Sequence, residues 1–107
     1  MSTLEASEKL AAEGAVAPRV TLEGMKARVK NVEYLNPYSC PHMTLAIVTL
    51  DNEWTLVGKS APADARNFDV EKGKAFAFDD AIRQLWTLEG YLLREKLSKY
   101  DYAGGVF

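Results

Sequence analysis

Two groups of side chains in this sequence have the types and spacing to do chemistry. The first is Trp86, Glu89 and Tyr91, within one short helical stretch. Tryptophan can stack on a planar ring and glutamate can accept hydrogen bonds, which together would furnish a small-molecule or partner pocket. A purely architectural account serves the same residues: Trp86 fills a helix junction, Gly90 permits close packing and Glu89 bonds backbone at a cap. The second group is Lys59, Ser60 and Arg66, just before a long helix. An ammonium, a hydroxyl and a guanidinium there could touch an anion near a helix N-terminus. Gly58-Lys59-Ser60 lacks the earlier glycine and the immediate helix of a phosphate loop. Lysine at a strand end is also ordinary edge protection.

Other reactive types are too few or misplaced. Cys40 and His42 are the sole cysteine and histidine, which is too small a set for a metal. At two residues' separation they are not expected to face one another as thiol and base. Asp79 and Asp80 point about 100° apart on a helix and make a poor catalytic pair. No catalytic residue, metal ligand or cofactor is therefore assigned, and an enzyme is not expected.

The elements that must position these groups are readable from periodicity. From Asn67 to Leu97, the residues Phe78, Ala81, Ile82, Leu85, Leu88 and Leu92 recur at threes and fours, with Ala77 and Leu93 beside them. Asn67 or Asp69 can cap this run, with Phe68 as a staple. Gly73 disfavours a helix interior by roughly 1 kcal/mol, so close backbone packing is expected there. Thr87 after Trp86 can start a new helix, giving either Val70–Leu85 plus Leu88–Lys99 or one kinked helix.

Upstream, Thr21 is an N-cap candidate. Leu22, Met25, Val29 and Val32, at spacings of three, four and three, predict a helix over Leu22–Leu35 that stops at Asn36-Pro37. Met43–Leu50 and Trp54–Ser60 predict two strands around Asp51-Asn52-Glu53. A two-residue Asn52-Glu53 loop sets Val48 opposite Val57 and Ile47 opposite Gly58. One face then carries Leu45, Ile47, Thr49, Trp54 and Leu56, and the other Ala46, Val48, Leu50, Thr55 and Val57. Both are substantially apolar, and an isolated hairpin is not stable alone. Helices on one side and extension across a two-fold axis are the expected remedy, giving a homodimer through the hairpin.

The predicted fold class is thus α+β: a helix, a two-stranded antiparallel hairpin, then two helices or one long kinked helix. Residues 1–18 are expected to form a frayed helix or mobile arm, 19–99 a single domain and 100–107 a mobile tail. The 107 residues suit one domain. A net charge of −2 argues against nucleic acid as a partner. No apolar run approaches the roughly 20 residues of a membrane helix, and a lone cysteine suits a reducing cytosol.

Three motifs point to a family. They are Gly58-Lys59-Ser60-Ala61 after the hairpin, Asn67-Phe68-Asp69 before the long helix, and Trp86 to Leu93 as Trp-x-Leu-Glu-Gly-Tyr-Leu-Leu. With these, about Thr21–Leu97 resembles the gene forty-nine-like family of tailed bacteriophages. Two positions depart from it. The family's turn is commonly Asn-Gly where this chain has Asn52-Glu53; glutamate disfavours positive φ, which points to a longer turn. The residue after Trp86 is commonly proline, whereas Thr87 allows an unbroken helix. The resemblance implies a phage origin and an α+β fold, without an activity. The expected function is a non-enzymatic accessory protein in the host cytoplasm that binds and modulates a host defence protein. The alternative is a homo-oligomeric binder of a small nucleotide signal.

Overall fold

The computed structural model describes residues 3–13 and 17–103. The elements in order are α1 (Thr3–Ala12), α2 (Leu22–Ala27), β1 (Val29–Leu35), β2 (Thr44–Leu50), β3 (Thr55–Ser60), a 3-10 turn (Ala65–Asn67) and α3 (Val70–Ala103). The fold is α+β, as expected, but its sheet is a three-stranded antiparallel meander in the order β1-β2-β3.

The third strand replaces half of a predicted helix. Thr21 does cap α2, its hydroxyl accepting from the Gly24 N–H at 3.0 Å, but α2 ends after six residues with Arg28 as its C-cap. Residues 29–35 pair with β2 instead. Val29 lies opposite Leu50 and Asn31 opposite Thr49, so Lys30 is an extra residue in the strand, a bulge. The bulge resets the alternation, so that Val29 and Val32, three apart, both reach the core. Their spacing imitated a helical stripe. β-Branched and aromatic residues in Val-Lys-Asn-Val-Glu-Tyr-Leu also favour the strand.

The hairpin register differs by one residue from the predicted one. Val48 opposes Leu56 and Ile47 opposes Val57. The cause is a three-residue loop. The Glu53 N–H donates to the Leu50 carbonyl at 3.0 Å, the Leu50 N–H donates to the Trp54 carbonyl at 2.9 Å, and Glu53 has a φ of 71°. Its left-handed conformation supplies the bulge such a loop requires. A one-residue slip exchanges faces. Thr44, Ala46, Val48 and Leu50 of β2 therefore share the core side with Leu56 and Gly58, and Trp54 falls outside the faces, at the hairpin's end.

α3 runs unbroken through Trp86 and Thr87. Asp69 is its N-cap, with Oδ1 accepting from the Lys72 N–H at 3.0 Å. Phe68 lies over Gly73 in the first turns. Ala77, Ala81, Ile82 and Leu85 are fully buried against β2 and β3, with Leu22 and Met25 of α2 and Leu4 of α1 closing the core. The larger of these side chains contribute roughly 1.5–3 kcal/mol each. The predicted stripe is inward only in its first half. Leu88 and Leu92 are exposed.

Two glycines set how closely α3 lies on the sheet. A Cβ on Gly58 would overlap the Ala77 carbonyl and come within 2.6 Å of the Ala81 nitrogen. One on Gly73 would come within 2.5 Å of Thr44 Oγ1, so the close packing expected there is present. Gly90, expected to permit close packing, has nothing within 4 Å of its Cβ position.

α1 packs its Leu4 into the core. The Glu8 carboxylate accepts from the Leu22 N–H, at the start of α2, and from Arg19. Of the termini expected to be mobile, residues 1–2, 14–16 and 104–107 lie outside the described residues. The predicted tail is helical through Ala103.

Candidate partner-binding site

The sequence-predicted residues separate into three places. The Lys59 backbone N–H donates to Asp80 Oδ2 at 2.9 Å, and its side chain is exposed at the edge strand. Ser60 lines a shallow depression of about 180 Å³ with His42, Asn67, Phe68, Asp69 and Lys72. Arg66 is not in that lining. It closes a fork on Asp64, at 2.7 Å through Nη2, which raises the guanidinium pKa and lowers that of the carboxyl. The three expected anion ligands therefore do not converge. Cys40 Sγ does approach His42 Nε2, at 3.6 Å, contrary to the expectation that the pair would not face each other. Among the described residues, no group of three or more His, Cys, Asp or Glu could hold a metal ion.

Glu89 and Tyr91 do share a site, with Trp54 in the place expected for Trp86. Trp86 is partly buried against the core. The site is a groove of about 240 Å³ at one end of the sheet, between the β2–β3 turn and the middle of α3. Leu50 and Leu85 form its buried floor, and Trp54, Leu88, Tyr91 and Leu92 form its walls. These four walls are 58, 41, 68 and 51% exposed, respectively.

Local structure explains each placement. The Trp54 N–H donates to Asn52 Oδ1 at 3.0 Å, an Asx-type turn that fixes the tryptophan at the hairpin tip. Leu88, Tyr91 and Leu92 fall at helical spacings of three and four and so share one side of α3.

Arg28 ties the groove together. Its Nη1 donates to Glu89 Oε2 at 2.8 Å, and its Nη2 and Nε donate to Asp51 Oδ1 at 2.9 and 3.1 Å. The Arg28 carbonyl also accepts from the Asp51 N–H at 2.8 Å. The two carboxylates, Asp51 first, raise the guanidinium pKa above its ordinary value. On the far side of this pair lies a second depression of about 380 Å³, bounded by Arg19, Thr21, Met25, Leu93 and Lys96. Nothing local in the sequence singled out Arg28, because its partners are 23 and 61 positions away.

The groove therefore has an apolar, aromatic rim around a satisfied ion pair. Its central carboxylate, Glu89, is already bonded to Arg28, and the exposed apolar side chains around it are contiguous. Among the described residues, no helix is long and apolar enough to cross a membrane.

No curated protein and no solved structure matches the chain. Residues 20–97 match the model of a phage protein family described as N4 Gp49/phage Sf6 gene 66. That span holds α2, the whole sheet, the groove and most of α3, so the chain belongs to this phage protein family.

Proposed function

We propose that this phage protein is a small non-enzymatic binding module, acting in the host cytoplasm, that docks on a host protein through the Trp54–Tyr91 groove and modulates it. A host defence protein is the favoured target class. The observation that carries this reading is the gathering of Trp54, Leu88, Tyr91 and Leu92, all substantially exposed, around the Arg28–Glu89 pair. Aromatic anchors beside a fixed arginine are the composition of an interface hot spot. Singly scattered exposed apolar residues need no explanation, but a contiguous group does.

The test is affinity capture from host lysate in parallel with wild-type protein and a Trp54→Ala/Tyr91→Ala variant, followed by cross-linking mass spectrometry. A host protein lost from the variant and cross-linked beside the groove is expected. Equal recovery by both baits, or cross-links only to the opposite end of the sheet, would overturn the reading.

A second reading, capture of a small nucleotide signal, is favoured by the two exposed rings, which could stack a base. It is weaker on magnitude. The groove is smaller than the roughly 300–1,000 Å³ of ordinary ligand sites. Arg28, the cation in its wall, is already held by two carboxylates. Native mass spectrometry of protein purified from cells decides it, through the presence or absence of a co-purified nucleotide mass.

A further inference from the structure

The sheet has a second face. Along β2, side chains alternate between full and partial burial, and the partly buried set, Leu45, Ile47 and Thr49, points away from α2 and α3. The register places Leu35 and Lys59 on either side of Leu45, and Glu33 and Val57 on either side of Ile47. The result is an apolar centre of Leu35, Leu45, Ile47 and Val57. An exposed acid, Glu33, lies on one edge strand and an exposed base, Lys59, on the other. Of the helices, α2 packs on β1 and α3 on β2 and β3, from the opposite face.

We infer that this face takes a second copy of the same chain, stacked face to face about a two-fold axis parallel to the strands. Such an axis lays β1 of one copy over β3 of the other. Glu33, level with Val57, then lies over Val57 of its mate and two residues, about 7 Å, along the strand from the mate's Lys59, so that two diagonal Glu33–Lys59 pairs flank a shared apolar centre. Opposite charges at opposite edges are what a self-complementary two-fold surface requires. Stacked sheets sit about 10 Å apart, within reach of these long side chains.

The alternative of lengthening the sheet through the hairpin is obstructed. One edge of β2 is occupied by β1 and the other by β3. On the outer edge of β3, the Val57 carbonyl accepts from Gln84 Nε2 at 2.8 Å and the Lys59 N–H donates to Asp80 at 2.9 Å. Side chains of α3 thus occupy ladder positions that an added strand would need.

The footprint sets the strength. Three strands about 4.8 Å apart and about 20 Å long cover on the order of 300 Å². Stable dimers bury about 800 Å² per partner. The dimer is therefore a weak one, at or below the small end of specific interfaces.

Sedimentation equilibrium of the full chain up to millimolar concentration tests this, with circular dichroism confirming that each variant is folded. Wild type is expected to show a monomer–dimer equilibrium. Glu33→Lys and Lys59→Glu, which each put like charges on the same diagonal, should each weaken it about tenfold, and the double reversal should restore it. Trp54→Ala/Tyr91→Ala should leave it unchanged. A wild-type chain that stays monomeric throughout, a double reversal no better than the singles, or an association abolished only by the groove variant would overturn the inference.

Discussion

Arg28 and Glu89, sixty-one positions apart, meet at 2.8 Å across the end of the sheet. The same guanidinium holds Asp51. One side chain therefore joins the C-cap of α2, the β2–β3 turn and the middle of α3.

Because the pair is largely screened from water, with side-chain exposures of 26 and 15%, losing one member leaves the other's charge poorly compensated. Arg28→Lys keeps the charge but cannot fork onto two carboxylates. It should lower unfolding free energy by about 1–2 kcal/mol in urea titrations. Arg28→Ala should lower it by more and should also loosen Trp54, visible as a change in tryptophan fluorescence.

Gly58 and Gly90 should respond oppositely to alanine. At Gly58 the new methyl collides with the backbone of α3, and a loss of about 3 kcal/mol or more, or failure to fold, is expected. At Gly90 the methyl meets nothing, so helix propensity alone acts and stability should rise by about 1 kcal/mol. Thermal unfolding of the two variants would show it, with a gain of roughly 4–8 °C for Gly90→Ala.

Glu53 occupies a left-handed conformation that disfavours L-residues by roughly 1–2 kcal/mol. Its ion pair with Lys30 is exposed and worth about 0–1 kcal/mol. Relief of the backbone outweighs loss of the pair, so Glu53→Gly should stabilise by about 1 kcal/mol. Glu53→Ala, which loses the pair without relieving φ, should not stabilise. Denaturation midpoints of the two variants separate these outcomes.

The Glu8 carboxyl is held below its ordinary pKa, chiefly by the Leu22 N–H and further by Arg19, against an opposing effect of burial. A lowered folded-state pKa means the folded form favours the ionised carboxylate. Its stabilising effect is therefore complete above the unfolded value, near pH 4–5, and is lost as pH falls through the lowered one. Acidification should release α1, and Glu8→Gln should remove most of that pH dependence. Helical circular dichroism between about pH 6 and pH 3 would follow it.

The long helix was legible because its apolar period persists over many turns, and β2 was legible because alternation and β-branching agree. The first strand was not. The bulge at Lys30 puts Val29 and Val32 on one face at a spacing that a helix also produces. The hairpin register missed by one because Glu53 adopts a conformation glutamate rarely takes. That single residue decides whether Trp54 lies on a sheet face or at the hairpin tip. It hid the tryptophan's place in the groove, although Glu89 and Tyr91 had been singled out. Leu88 and Leu92 continue the buried period of α3, and nothing local in the sequence says where the sheet beneath them ends.

That ending has a further consequence. Leu50 and Trp54, at the hairpin's end, share the groove with α3 as far as Leu92, so α3 beyond Leu92 has no sheet under it. There Leu93, Lys96 and Leu97 border depressions shared with residues 18–25. Amides in this outer portion should therefore lose hydrogen-exchange protection together with α2, as one cooperative unit, while Ala77–Leu85 stay protected until global unfolding. That unit borders the groove, so a partner docked there would also change how often that half of the molecule opens.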